Sequence, residues 1–402
     1  MKVLLINSVC GFGSTGSICF DIATVLEKHG HECYIAYGQG STTYEKTFKI
    51  GTKLENHLHN IGSRITGKQG YFTKKGTRQL IKFIKHYKPD LIHLHNLHGN
   101  YLNIELIFTF LKELDKPVVW TLHDCWSFTG KCAHYTDVAC YKWQTHCNNC
   151  PQVEKYPPSL FLDQSEVMFT DKKKWFNSIK NLTIIPVSNW LADEVKKSFL
   201  NNNCLKPIYN WVNHEVFKPT DEDIREQYGI TKNKFIILGV SAGWNISSNK
   251  LKDFISLSTL ISDDMQIVLV GKVDNQNDIP SSITHIPYVD GANELSKIYS
   301  IADVYVHLST EDTFGKVIAE AMSCGTPVIV YNATACPEIV GDGCGYIVEK
   351  NNVHKVYEKI QIINESGKEM YSLACRNHVI KFFDMDNNIN KIIKIYKDII
   401  VE

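Results

Sequence analysis

The amino-acid sequence predicts an α/β protein made of two successive doubly wound parallel sheets. Three observations carry this expectation. Short apolar runs alternate with helix-period segments, the alternation breaks and restarts in the second half, and glycine-bearing turns join runs to helices. Lys2–Asn7 (KVLLIN) reads as a first buried strand, followed by the loop SVCGFGSTGS. A helix comes next, with Ile18, Ile22, Val25 and Leu26 on one face. HECYIAY, Asp90–His95 (DLIHLH), Pro117–Leu122 (PVVWTL) and Leu182–Val187 (LTIIPV) are further strands with helical segments between them. The rhythm resumes at Lys234–Ser241 (KFIILGVS) and continues through MQIVLVG, ADVYVHL and PVIVY. The stretch NNNCLKPIYNWVNHEVFKP interrupts it, so one Rossmann-like domain is expected over 1–205 and another over 206–384.

Bulk properties narrow the function. At 402 residues the chain can bury two substantial cores. Its 43 basic residues balance 43 acidic ones, so no global charge argues for nucleic acid. No apolar run reaches the length of a spanning helix. The opening MKVLLINSVCGFG is too short an apolar stretch for a signal peptide and reads as a strand. Thirteen cysteines without such a signal suggest reduced thiols or metal ligands in a cytoplasmic setting. Cys19, Cys324 and Cys375 sit in apolar patterns and are expected in the core.

The most informative segment is Glu311–Val330, EDTFGKVIAEAMSCGTPVIV. Val317, Ile318, Ala321 and Met322 share a helical face, predicting a helix from near Phe314 to Gly325. A strand over Asp303–Leu308, a glycine turn and a helix N-terminus together form a ready anion site. Glu320 lies about one and a half turns into that helix, within reach of sugar hydroxyls beside a phosphate. Read alone, Asp312 and Thr313 would simply cap the helix and Glu320 would be a solvated face residue.

The whole string resembles the donor-binding signature of family 4 retaining glycosyltransferases: a Glu, seven residues, a second Glu, with FG inside and EAMACGTPV after it. Asp312, seven residues and Glu320 fit, Phe314 and Gly315 are in register, and EAMSCGTPV follows. Asp312 departs from the usual Glu and is shorter by one methylene; Glu311 sits one residue early and could substitute in a shifted turn. The resemblance implies that Glu320 holds ribose hydroxyls and that Asp312 contacts the transferred sugar. It implies that Thr313, Phe314, Gly315 and Lys316 contact sugar and diphosphate, and it assigns Tyr288 to the donor with them. It also implies the GT-B architecture, two Rossmann-like domains facing across a cleft, with a terminal helix over 385–402 crossing back to the first domain.

Gly11, Gly13 and Gly16 between the first strand and helix would alone be backbone glycines, and no acidic residue stands where a dinucleotide fold needs one. Within the resemblance they match the loop that closes over donor phosphates, so Gly16 becomes a donor contact. His123 follows PVVWTL at the carboxyl end of its strand, where such sheets present ligand groups. An isolated histidine there would be a hydrogen-bonded loop residue; the HD pair is a family feature, which places His123 near the transferred sugar and gives Asp124 a positioning role. His93 and His95 fall on one face of their strand, a geometry open to a metal pair, but with His98 they read better as hydrogen-bonding or acceptor-site residues.

A diphosphate leaving group needs positive charge. The family usually supplies an Arg and a Lys five residues apart after the second domain's first strand. Lys250 matches the Lys, while the Arg position holds Asn245, so Lys252, Lys272 or Lys316 would have to compensate.

Cys132, Cys140, Cys147 and Cys150 crowd the segment 125–157, the last two as a CxxC knuckle. Four thiolates in a long loop suit a structural zinc, with His134, His146 and Cys125 as alternates, against free or redox-active thiols. A similar cysteine-bearing insertion occurs, by resemblance, in the colanic-acid and capsule branch of the family. Between Asn56 and Pro89 eight Lys or Arg occur without any Asp or Glu, interleaved with Tyr71, Phe72, Leu80, Ile81, Phe83 and Ile84. Such a stretch can lie on anionic lipid, or be a core helix with a solvated basic face.

The resemblance therefore implies a retaining, metal-independent hexosyltransferase that moves sugar from a UDP- or GDP-sugar to a polyprenyl-diphosphate-linked glycan. The setting implied is bacterial O-antigen, capsule or exopolysaccharide synthesis, at the cytoplasmic face of the inner membrane. A nucleotide-sugar epimerase or hydrolase, or a weakly active zinc-stapled scaffold, are the competing readings.

Overall fold

A computed structural model describes residues 1–401, which form two compact units. The first contains Met1–Ile208 and the chain from Ile389 onward, and the second runs from Tyr209 to Asn388. The division thus falls three residues beyond the expected break at 205, because a short strand precedes it.

The first unit holds β1 (Lys2–Asn7), α1 (Gly13–Lys28), β2 (Glu32–Tyr37), β3 (Thr47–Lys49), α2 (Lys53–Thr66), α3 (Lys74–Tyr87), β4 (Leu91–Leu94) and α4 (Ile104–Leu114). It continues with β5 (Val118–Leu122), α5 (Ser165–Phe176), β6 (Leu182–Pro186), α6 (Asn189–Lys196) and β7 (Cys204–Leu205). The strands form one parallel sheet in the order β3-β2-β1-β4-β5-β6-β7. The expected strands are present. β3 and β7, three and two residues long, carry no run long enough to read from the chain. The central strands are buried along their whole length, as a sheet covered on both faces requires.

The second unit contains β8 (Phe235–Trp244), α7 (Asn249–Ser258), β9 (Met265–Val273), β10 (Ile283–Ile286), α8 (Gly291–Ile301), β11 (Val304–His307) and α9 (Lys316–Ser323). β12 (Val328–Tyr331), α10 (Cys336–Ile339), β13 (Gly345–Val348), α11 (Val353–Ser366) and α12 (Glu369–Phe382) complete it. Its sheet is also parallel, in the order β10-β9-β8-β11-β12-β13. In chain order of the strands this is 3-2-1-4-5-6, the doubly wound order, and its switch point lies between β8 and β11. The loops at the carboxyl ends of those two strands are where such a sheet binds ligands.

The helix expected from Phe314 to Gly325 is shorter, because Gly315 (φ 83°) and Gly325 (φ 76°) take left-handed conformations that end it on both sides. A Cβ on Gly315 would also meet Ile318 Cδ1 at 2.7 Å. The terminal helix α13 (Met385–Val401) starts in the second unit and belongs to the first from Ile389. Tyr396 on this helix is buried and hydrogen-bonds His93 of β4.

Candidate active site

The switch point of the second unit gathers most of the expected donor residues. Asp312 lies in the turn after β11, and its Oδ2 is 2.8 Å from His307 Nε2. His307 Nδ1 is in turn 2.9 Å from the buried Tyr305 hydroxyl. The Asp312 amide donates to Thr334 Oγ1 at 3.2 Å, and the Ala335 amide donates to the Asp312 carbonyl at the same distance. Side chain and backbone of Asp312 are therefore both fixed. His307, Asp312 and Cys336 bring their ligand atoms within 4.8 Å of one another.

Glu320 sits on the buried side of α9, accepting from Tyr299 OH at 3.3 Å, with Lys316 Nζ 3.8 Å from its other oxygen. Burial raises its pKa, opposed by Lys316 and Tyr299. Thr313 and Phe314 are buried, and the Phe314 ring packs on Tyr209 and Phe383. Only its backbone is then available to a ligand. Lys316 opens α9, so its ammonium and the helix N-terminus share one end of the turn.

Lys250, in the first turn of α7, donates to Ser241 Oγ, and its ammonium lies 5.3 Å from the Trp244 ring centroid. Burial lowers its pKa while the Asp312 charge acts against this, so the two groups feel each other across the switch point. Asn245 is not an open gap in the charge pattern. Its Oδ1 accepts from the Ser247 amide at 2.7 Å and its Nδ2 donates to Asp274, so it shapes the β8–α7 turn. Lys252 and Lys272 are exposed, and Tyr288 is 67% exposed in the loop after β10.

In the first unit, His123 and His95 follow β5 and β4. His95 Nδ1 lies 3.0 Å from His123 Nε2, with the rings nearly parallel. Burial pulls the His123 pKa down to about 4 and lowers that of His95 as well, so both are neutral near pH 7. His93 is satisfied by Tyr396 and Thr121 and is no metal ligand as placed. Asp124 accepts from the Trp126 amide at 2.8 Å and pairs with His98 Nε2 at 2.6 Å. Burial works to raise its pKa, but the His98 pair overrides this and brings it to about 2. His98 also meets the Tyr156 hydroxyl at 2.8 Å. Gly16 is a packing position: a Cβ there would meet Val9 Cγ2 at 3.0 Å, and its carbonyl accepts from the Gly11 amide. Beside these groups opens a cleft of about 610 Å³, whose walls include Gln39, Lys49, Lys53, His57, Asn100 and Tyr156.

The four cysteines of the insertion surround one small cavity of about 10 Å³, the size of one water-sized sphere. Gly130 N–H donates to Cys147 Sγ at 3.2 Å. The buried Lys172 amine donates to the carbonyls of Trp126 and Thr129; burial lowers its pKa to about 7, opposed by the neighbouring Cys147, Cys132 and Asp124. The four sulfurs stand wider than a closed site: among the described residues, only the His307 group brings three ligand atoms within 4.8 Å. The alternates are differently engaged, since His146 pairs with Glu166 and Cys125 does not line the cavity. Phe128, Tyr135 and Trp143 pack together beside the cysteines and give the insertion its own apolar core.

Within the expected lipid-facing stretch 56–89, the second helix α3 takes the other reading. In α3 the apolar companions of the basic residues turn inward: Leu80, Ile84 and Tyr87 are buried, and Phe83 packs on Phe48 and Tyr87. This helix has an ordinary core face with lysines in solvent.

Sequence reasoning missed His307 and Tyr305, although period-two alternation along ADVYVHL puts both on one face. It also missed Tyr156, a loop residue with no pattern to mark it.

Solved structures share this fold over nearly the whole chain. The HepE protein of Anabaena, in complex with UDP and glucose, superposes with a TM-score of 0.69 at 15% identity, covering 99% of this chain and 100% of that one. Two doubly wound units with a donor-type turn at the second switch point define the GT-B class. Residues 15–216 match the family described as Glycosyltransferase Family 4, and residues 221–377 match Glycosyl transferases group 1. The chain belongs to glycosyltransferase family 4. It is 26% identical over 274 residues to the putative colanic acid biosynthesis glycosyl transferase WcaC of Escherichia coli K12, covering 66% of this chain and 65% of that protein. It is 24% identical over 230 residues to the UDP-Gal:alpha-D-GlcNAc-diphosphoundecaprenol alpha-1,3-galactosyltransferase of Escherichia coli, covering 52% and 57%. The matched segment is thus less than two thirds of either relative.

Proposed function

We propose that the chain transfers a sugar, with retention, from a UDP- or GDP-sugar to a polyprenyl-diphosphate-linked glycan in bacterial surface-polysaccharide synthesis. The single observation that carries this reading is Asp312, fixed by His307 and Thr334 at the second switch point, with Glu320 two turns away on the same buried turn-helix unit. In this reading Glu320 accepts hydrogen bonds from ribose hydroxyls and Asp312 accepts one from a hydroxyl of the transferred sugar. The diphosphate lies at the N-terminus of α9, where the helix dipole, Lys316 and Lys250 stabilise the charge that grows as the glycosidic bond breaks. The acceptor attacks from the face that the diphosphate leaves, and the departing phosphate takes its proton, so no protein nucleophile is used. His123, held neutral, is assigned a hydrogen bond to a sugar hydroxyl. The diphosphoundecaprenol acceptor named for the Escherichia coli galactosyltransferase supports the lipid-linked part.

We also propose that Cys132, Cys140, Cys147 and Cys150 hold one structural zinc. Their shared cavity and the Gly130 amide aimed at Cys147 support this reading; closing the site requires the sulfurs to draw together.

The test is transfer of radiolabelled sugar from a panel of UDP- and GDP-sugars to an undecaprenyl-diphosphate glycan, with anomeric analysis of the product. Donor hydrolysis or epimerisation without acceptor dependence would favour the other enzymatic reading, and nucleotide binding without any turnover the scaffold reading.

A further inference from the structure

Helix α2 is built inside out. Its inward side carries Asn56, His59 and Ser63, all buried. Its outward side carries Leu54, Leu58, Ile61 and Ile65, exposed by 66, 57, 41 and 49%. These positions follow i, i+4, i+7 and i+11, so they form one stripe along the helix. The polar inner side is held by specific bonds. His59 meets Thr73 Oγ1 at 2.7 Å and accepts from the Gly70 amide at 3.1 Å, and Asn56 donates to the Gly38 carbonyl at 2.8 Å. Rotating the helix to bury the leucines would break all three, so the exposed stripe is fixed.

The stripe continues into a neighbouring loop. Leu160, Phe161 and Leu162 are exposed, Phe161 by 78%. The Leu160 amide donates to the Arg64 carbonyl at 2.8 Å, and the Leu162 carbonyl lies against Gly67. Seven large apolar side chains thus form one surface, where scattered single ones would need no explanation. Its border is basic: Lys53, Arg64 and Lys68 stand on or beside α2. Of the nearby acids, Glu55 accepts from the Gly76 amide and the exposed Asp163 from the Cys150 and Ser165 amides. An apolar face bordered on or beside its helix by Lys53, Arg64 and Lys68 complements an anionic lipid surface. Lys53 and His57 of α2 also wall the 610 Å³ cleft, so one helix borders both surface and cleft.

We propose that the outward face of α2 and the Leu160–Leu162 loop insert shallowly into an anionic membrane, delivering a lipid-linked substrate to the adjacent cleft. This rests on the lipid-linked acceptor of the proposed function, and it narrows the expected lipid-facing stretch 56–89 to its α2 part and adds the 160–162 loop.

The experiment is flotation of the purified full chain with vesicles of phosphatidylcholine alone or with added phosphatidylglycerol. Three proteins are compared: wild type, Leu58→Glu with Ile61→Glu, and Phe161→Ser. Wild type should float with anionic vesicles and less with neutral ones, and each withdrawn apolar side chain should weaken partitioning by about tenfold or more. Melting temperature and transfer to a short, water-soluble acceptor analogue should be unchanged in the variants. That soluble assay separates the two readings, because failed transfer with intact flotation overturns the acceptor chemistry alone. Wild type that stays unbound at every composition overturns the docking, as do variants that float like wild type. A wild-type dimer split by Leu58→Glu with Ile61→Glu, without vesicle binding, overturns it in favour of a second copy on this face.

Discussion

His307 Nε2 stands 2.8 Å from Asp312 Oδ2 while its Nδ1 meets Tyr305 OH, so a buried tyrosine and histidine orient the carboxylate from behind. This arrangement explains how an Asp can stand where the family pattern has a Glu. A shorter side chain reaches less far, but here His307 fixes its direction.

The prediction is that His307→Gln lowers kcat by about 10- to 100-fold through misplaced Asp312, with donor binding little changed. Tyr305→Phe should show a smaller loss in the same direction. Asp312→Ala should cost at least as much as His307→Gln, and steady-state kinetics with isothermal titration of the nucleotide separates the two effects. A His307→Gln enzyme with wild-type kcat would remove the positioning role.

Glu320→Ala should weaken nucleotide binding by about 1.5–3 kcal/mol, the worth of a hydrogen bond to a charged group. Tyr299 and Lys316 would lose their partner, so the fold must be checked by melting. Glu320→Gln keeps the shape and should fall between the two. Wild-type affinity in a well-folded Glu320→Ala protein would sink the ribose assignment.

How much of this was readable in the sequence depends on what a pattern can encode. The alternation of the longer strands with helices and the spacing of Asp312 and Glu320 were legible, because apolar runs and motif spacing lie along the chain, whereas the short strands β3, β7, β10 and β13 were not. Helical periodicity marks a stripe but not the direction it faces. Leu54, Leu58, Ile61 and Ile65 repeat as any core stripe does; only the bonds of His59 and Asn56 to distant backbone turn them outward. Asn245 likewise looked like a missing cation, and its role appeared only with Asp274, a partner 29 residues away.

That partner changes what Asn245→Arg should do. A new guanidinium would face Asp274 and be neutralised there, besides losing the Ser247 amide bond. Little gain in donor affinity is expected from the single change. Asn245→Arg with Asp274→Asn should bind nucleotide diphosphate more tightly, read by titration at low salt. Equal affinity in both variants would show that the diphosphate does not pass this turn.

Stability should fall on acidification in two overlapping windows. Burial pulls His59 down to about 3 and His123 to about 4, below the ordinary histidine value near 6.5. The unfolded chain therefore binds more protons between these values, and stability is lost as pH falls from about 6.5 towards 4. Each such histidine contributes about 1.4 kcal/mol per pH unit in that window. Asp124, whose pKa lies near 2 against an ordinary 3.8, adds a loss only below about pH 4. Urea unfolding at several pH values measures this. His59→Asn should make the upper window shallower by one histidine's share, and a stability curve flat from pH 6.5 to 4.5 in wild type would contradict the buried neutral histidines.

The cysteine cavity should hold one zinc that stabilises without taking part in the chemistry. The insertion has few regular elements, and its aromatic cluster of Phe128, Tyr135 and Trp143 is small. A four-thiolate ion would tie Cys132 and Cys140 to the Cys147–Cys150 knuckle and fix the segment. Elemental analysis of protein purified without added metal should find about one equivalent, the count for a single closed site. Cys147→Ser with Cys150→Ser should lose the metal and lower the melting temperature. Transfer activity should survive EDTA at concentrations that leave the ion in place. Metal-free protein of full stability, with all four thiols reacting freely with a thiol reagent, would show instead that the cavity holds reduced cysteines held apart by their own packing.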